Sequence, residues 1–149
     1  MVRRLLFALL LGIAALPARA ADYVLVVHPS VPAETLAKLR DLAGEQPRGL
    51  TFANAGNGSA THRAAQRFAE GAHLEVTHVP YAGHAKALSA VLAGEAAATF
   101  AGGKAVAAAV KLGKLRALAV TGPGRLGSLP GVPTFAEAGL PVFKPRGRD

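Results

Sequence analysis

Short apolar runs alternate along this 149-residue chain with stretches in which apolar positions recur at helical spacing. Tyr23-Val24-Leu25-Val26-Val27 is continuous and largely β-branched, the pattern of a strand buried on both faces. His28-Pro29 ends it, Pro32 suits the first turn of a helix, and Leu36, Leu39, Leu42 and Ala43 then recur at helical spacing. Glu34 and Lys38 stand four residues apart and can pair on that helix, which closes in the stretch 44–49. A strand over 50–54 gives way to Ala55-Gly56-Asn57-Gly58-Ser59-Ala60 and then to a helix with Ala64, Ala65, Phe68 and Ala69 inward and Arg63, Gln66 and Arg67 outward. The pattern continues with a strand over 74–79 and a helix over 84–94 that turns Leu88, Val91 and Leu92 inward. A strand over 96–100, a helix over 104–112 stopped by Gly113, a strand over 115–120 and a short helix over 134–138 complete it. Strands that alternate with helices predict an α/β fold, a mostly parallel sheet with flanking helices.

The first twenty residues stand apart from this pattern. Met1-Val2-Arg3-Arg4, an apolar run over 5–16 and Ala18-Arg19-Ala20 have the layout of a secretory signal peptide with an A-x-A cleavage site. Twelve apolar residues are too few to cross a hydrocarbon core that requires about 20. The expected organisation is therefore a signal over 1–20, one domain over 21–141 and a basic tail over 142–149 carrying Lys144, Arg146 and Arg148. The mature chain is expected to be extracytoplasmic and, once cleaved, not itself membrane-spanning. It has no cysteine, so its stability must come from packing.

Removal of Arg3, Arg4 and Arg19 lowers the formal charge from +8 to +5, a mild excess scattered along the chain. A nucleic-acid binder would more often show a basic stripe interleaved with aromatics, and only 5% of this chain is aromatic, so nucleic acid is not an expected partner.

The informative segments are the turns after three strands: Asn54-Ala55-Gly56-Asn57-Gly58-Ser59, Pro80-Tyr81-Ala82-Gly83 and Ala101-Gly102-Gly103. In a parallel α/β sheet the ligand crevice lies outside the carboxyl ends of the strands. Each turn leads into a helix, so free backbone amides at three helix N-termini should converge on one rim and favour an anion there. Glycine lets the backbone approach a ligand without a Cβ clash. A blander account needs only tight turns, with Ser59 as a helix cap; three such turns on one rim favour a ligand site.

Other chemistries fit less well. Gly56-x-Gly58 begins a dinucleotide fingerprint, but Thr61 stands where the third glycine belongs, and Glu75 opens the next strand instead of ending it. No Gly-Lys-Ser/Thr follows to make a phosphate loop, and Gly58-Ser59-Ala60 does not complete a nucleophile elbow. The five histidines include no pair at the i,i+4 spacing of a zinc site, so neither a metal nor a cofactor is expected. His62 and His84 are placed at the border of the rim, His78 within a strand. A hydrolase using Ser59 and His62 is the weakest reading, because paired carboxylates are missing from the rim.

Five ordered segments resemble the Bug-type receptors, the extracytoplasmic solute-binding proteins of tripartite tricarboxylate transporters. They are the run from Tyr23 to Ser30, Ala55-Gly56-Asn57-Gly58-Ser59, His78-Val79-Pro80-Tyr81-Ala82-Gly83, the stretch from Ala109 to Thr121, and Leu129-Pro130-Gly131-Val132-Pro133-Thr134-Phe135 continuing to Pro141. The resemblance implies one lobe of a type II periplasmic binding protein-like clamshell, binding small organic carboxylates without chemical conversion and delivering them to transporter membrane subunits. It implies that Gly56, Asn57, Gly58 and Ser59 hydrogen-bond a ligand carboxylate and that the turn containing Tyr81 and Gly83 lines the same cleft. With the rim residues Asn54, His62, Ala101 and Gly102, these make up the expected site.

Two departures qualify that picture. Family members carry most of another lobe before the first motif and return to it after the last, so this chain reads as one lobe, apparently shortened, and is expected to bind weakly on its own. Members that bind amino acids often place an aspartate just after the fourth strand, where this chain has Ala101 and Gly102; an ammonium-bearing ligand loses its obvious partner. The rival reading is an accessory anion-binding module whose missing lobe comes from a partner protein.

Overall fold

The computed structural model describes residues 22–143. The expected signal over 1–20 and the basic residues Lys144, Arg146 and Arg148 lie outside them. The described chain folds as β1 (Tyr23–Val27), α1 (Leu36–Glu45), β2 (Leu50–Asn54), α2 (Ala60–Ala72), β3 (Val76–Pro80), α3 (His84–Leu92), β4 (Ala98–Gly102), α4 (Gly103–Lys111) and β5 (Arg116–Val120). The strands form one sheet in the order β3-β2-β4-β1-β5.

The sheet is mixed. β2 pairs in parallel with β3 and β4, whereas β1 lies between β4 and β5 and runs against both. Four of the five strands therefore point one way and β1 the other. The apolar run of β1 could not reveal this, because burial on both faces suits a central strand of either direction. Val24, Leu25, Val26 and Val27 are all inaccessible to solvent.

Two cores cover the two faces. Leu25, Val27, Phe52 and Phe100 pack under α1 and α2 with Phe68 and Phe135, while Val24, Val26 and Ala53 pack under α3 and α4 with Ala87, Val91 and Val106. Arg63, Gln66 and Arg67 face outward on α2, as the spacing predicts.

Several expected boundaries move, each for a local reason. Thr35 caps α1 by accepting the Lys38 amide at 3.2 Å, so Pro32 lies before the helix and not in its first turn. The Glu34–Lys38 pair forms at 4.0 Å between exposed side chains, where it adds little. β3 begins at Val76 instead of residue 74, because Leu74 donates its amide to the Ala69 carbonyl and is spent closing α2. Likewise Ala96 donates to Ala90 at the end of α3, and the fourth strand runs from Ala98 to Gly102.

Leu92 is 38% exposed, contrary to expectation; the inward stripe of α3 is Ala87, Ala90 and Val91. The stretch 134–138 is a turn and not a helix. Thr134 bridges to Val120, and Phe135 donates to the Val120 carbonyl at 3.0 Å, so this segment is drawn along the free edge of β5.

Candidate ligand-binding site

The parallel register places Asn54 beside Pro80 and Ala53 beside Thr99, and the antiparallel register places Tyr23 beside Gly102. The carboxyl ends of β2, β3 and β4 and the amino end of β1 therefore share one edge of the sheet. The loops after β2 and β3 touch directly. Tyr81 donates its amide to the Asn54 carbonyl at 2.9 Å, and a Cβ on Gly56 would stand 3.8 Å from the Tyr81 carbonyl.

The first loop is braced from within. Asn54 is fully buried; its Oδ1 accepts the Gly56 amide at 2.9 Å, and its Nδ2 has no partner among the described residues. Thr61 Oγ1 accepts the Ala55 amide at 3.0 Å, and His62 Nδ1 accepts the Gly58 amide at 3.0 Å. Ser59 Oγ caps α2 by accepting the His62 amide at 3.3 Å and lies 3.2 Å from Thr61 Oγ1. Gly56 (φ 126°) and Gly58 (φ 80°) give the loop its shape, but both of their amides are used inside it. The donors left without a partner among the described residues are the amides of Asn57, Ala60 and Thr61.

The other two helix N-termini are barer. Gly83 opens α3 and Gly102 opens α4, and neither helix has a side-chain cap. None of α2, α3 and α4 carries an acidic residue in its first turn, where a carboxylate would ordinarily offset the helix dipole. Lys86 and Lys104 occupy first-turn positions of α3 and α4 instead. The rim therefore holds partial positive charge that its own first turns do not neutralise.

A cavity of about 430 Å³ opens at this edge, lined by Tyr23, His84, Ala85, Leu88, Ala101, Gly102 and Ala105. Ala101 and Gly102 are thus brought to the cavity, and His84 borders it as expected. Asn54, Gly56, Asn57, Gly58, Ser59, Tyr81 and Gly83 stand in the adjoining loops. His62 turns elsewhere: its ring meets that of His78 edge-on, with centroids 4.9 Å apart. Sequence reasoning missed Tyr23, Ala85, Leu88 and Ala105. Tyr23 and Leu88 read as core, and only the antiparallel placement of β1 brings Tyr23 to this edge.

A second cavity, about 480 Å³, runs along the outer edge of β3 beneath α2 and is lined in part by Arg48, Glu70, Glu75 and His78. Its two glutamates make it the poorer place for an anion. His78 Nδ1 is buried there without a partner among the described residues, and burial, with repulsion from His62, holds the ring below its ordinary pKa.

Two expectations follow from this geometry. Gly83 has φ 106° and ψ 168°, a region open essentially to glycine alone, so Gly83→Ala is expected to cost about 1–3 kcal/mol in urea unfolding despite the free space around it. For His78, a folded pKa lowered from 6.5 means that the unfolded chain binds more protons as pH falls, so stability complete above about 6.5 declines below it. His78→Gln is expected to flatten that decline between about pH 7 and about pH 5. An equal loss in both proteins would assign the effect to other groups.

Among the described residues no helix is long and apolar enough to cross a membrane, and no three His, Asp or Glu side chains gather where they could hold a metal ion.

The fold and sequence have clear relatives. A "UPF0065 protein in tcbD-tcbE intergenic region" of Pseudomonas sp. (strain P51) is 38% identical over 122 residues, which is 81% of this chain and 36% of that protein. BugT of Bordetella pertussis is 32% identical over 120 residues, 80% of this chain and 37% of its own length. The chain thus spans less than half the length of these curated relatives. Among solved structures, a Rhodopseudomonas palustris protein with adipate superposes with a TM-score of 0.78 at 32% identity, over 84% of this chain and 42% of that one. MatC from the same organism, with bound malate, gives 0.78 at 26% identity, over 83% and 42% respectively. A TctC solute binding protein from Polaromonas gives 0.75 at 28% identity, over 80% of this chain and 41% of that one, and the matched family is one of receptors and not of enzymes. The model of the "Tripartite tricarboxylate transporter family receptor" matches residues 7–145. The chain belongs to this receptor family.

Proposed function

We propose that this chain acts as a carboxylate-binding lobe of an extracytoplasmic receptor, exported by the segment 1–20 and serving a tripartite tricarboxylate transporter through contacts with its membrane subunits. The observation that carries the reading is the cavity at the strand ends, lined from the N-terminal parts of α3 and α4, both opened by glycine, uncapped and without first-turn acids, with the loop after β2 joined to the loop after β3 by the Tyr81–Asn54 bond. Backbone amides at such termini hold a carboxylate by hydrogen bonds and by the helix dipole, with no chemical change to the ligand. The relatives solved with adipate and malate support the same class of ligand.

Within this reading Ser59 is a helix cap and His62 an acceptor for the Gly58 amide, and among the described residues no hydrogen bond joins Ser59 Oγ to the His62 ring as a nucleophile–base pair would require. Asn57, Gly58, His84 and Ala85 are solvent-exposed, so a carboxylate on this rim exchanges its hydrogen bonds with water and gains less than it would in a closed cleft. Calorimetry of the secreted chain with malate, adipate and citrate is expected to show weak, saturable binding, with Kd above roughly 10 μM. Absence of binding to every carboxylate would reject the proposal. A stoichiometric partner that co-purifies and restores tight binding would favour the rival reading of a module completed by another protein.

A further inference from the structure

We propose that the outer face of α3 and α4 docks on an anionic phospholipid surface, with lysines against the headgroups and two leucines at the acyl boundary. The proposal stands whether or not the rim binds a carboxylate. The two helical layers differ in charge. α1 and α2 carry Lys38, Arg40, Arg63 and Arg67 against Asp41, Glu45 and Glu70, a mixture of signs that suits a solvated surface. α3 and α4 carry Lys86, Lys104 and Lys111 and no acid, and Lys114 follows just after α4. All four lysines are exposed, and Glu95 is the single acid in the stretch 84–114 that holds them. None of the four is in an ion pair among the described residues; the pairs there are Lys38–Glu34 and Arg125–Glu137.

The same face holds exposed apolar groups. Ala87, Ala90 and Val91 of α3 and Val106 of α4 are buried in the core beneath, while Ser89 and Leu92 of one helix and Ala108 and Leu112 beside the other are exposed. Leu92, 38% exposed, and Leu112, 71% exposed, are the exposed large hydrophobic residues among those described. Both helices start at the rim, so these leucines share the far end, Leu92 as the last residue of α3 and Leu112 as the C-cap of α4. Cations mixed with protruding apolar groups on one side are the pattern of reversible attachment to an anionic bilayer surface. Lysine suits it, because its stem can lie along apolar surface while the ammonium reaches a phosphate. A protein partner is more often met by Trp, Tyr and Arg and seldom by Lys, and α3 and α4 contain none of the first three. A second copy of the chain would set lysine against lysine.

Co-sedimentation of the secreted chain with lipid vesicles tests this. Capture is expected on vesicles of phosphatidylglycerol mixed with phosphatidylcholine and not on phosphatidylcholine alone, and it is expected to reverse at about 1 M salt, where the screening length falls to about 3 Å. Lys111→Gln and Lys114→Gln are each expected to weaken capture about fivefold, and Leu112→Ser about three- to tenfold, with the far-UV circular dichroism unchanged. Lys38→Gln and Arg67→Gln, on the opposite layer, are expected to change it by less than about twofold. No capture, equal capture by the neutral vesicles, or equal losses from the two layers would overturn the proposal. So would loss of all capture in a chain carrying Lys144→Gln, Arg146→Gln and Arg148→Gln, which would assign the attraction to the tail. A chain that ignores both kinds of vesicle but binds an acidic protein through the same lysines would overturn it in favour of a protein partner.

Discussion

Phe100→Ala is expected to lower the stability of the domain by about 3–5 kcal/mol, the largest effect of any single substitution considered. Phe100 is 2% exposed, and its ring lies between 5.9 and 6.4 Å, centroid to centroid, from those of Phe52, Phe68, Phe135 and Phe143. Truncation would remove four aromatic contacts together and leave a void whose lining comes from β2, α2 and the C-terminal turns, elements too well fixed to collapse into it. A domain of this size has a net stability of about 5–15 kcal/mol, so the variant would stand near its unfolding threshold at ambient temperature. Urea unfolding followed by far-UV circular dichroism measures the change. A loss below about 1 kcal/mol would mean that the cluster repacks freely and is not the mechanical centre of this face.

Asn54→Asp is expected to weaken carboxylate binding at least about tenfold, equivalent to about 1.4 kcal/mol, and to destabilise the fold as well. The new side chain can still accept the Gly56 amide, so the loop keeps its brace. What changes is charge: a position with no solvent exposure would carry a carboxylate beside the rim where the ligand's own carboxylate is proposed to sit. Asn54→Ala separates the two effects, because it releases the Gly56 amide without adding charge. If Asp and Ala variants lost binding equally, the brace alone would explain the loss and electrostatics would not. If neither lost binding, the carboxylate would lie elsewhere on the molecule.

His62 shows how a residue singled out for chemistry can serve geometry. Its position at a helix start beside a glycine turn made it a candidate for ligand contact or for acid–base work. In the structure its Nδ1 is occupied by the Gly58 amide and its ring by His78 of β3, sixteen residues further along the chain. The Gly58–His62 bond was local and could have been suspected from the i,i+4 spacing. The partnership with His78 depended on the parallel register of β2 and β3, which no periodicity reveals.

The sequence by itself determined the alternation of strands and helices, the inward stripe of α2, the burial of β1 on both faces and the presence of glycine turns where strands meet helices. These are local matters, written in the spacing of apolar residues and in the conformations that glycine permits. Tertiary structure alone decided the direction of β1, the joining of Tyr23 to Ala101 and Gly102 in one cavity, and the division of loop amides between those spent on Asn54 and His62 and those left free. Each of these depends on which segments become neighbours. Strand direction and partner are set by how two apolar faces are covered at once, a condition on the whole chain that a buried five-residue run satisfies equally well either way.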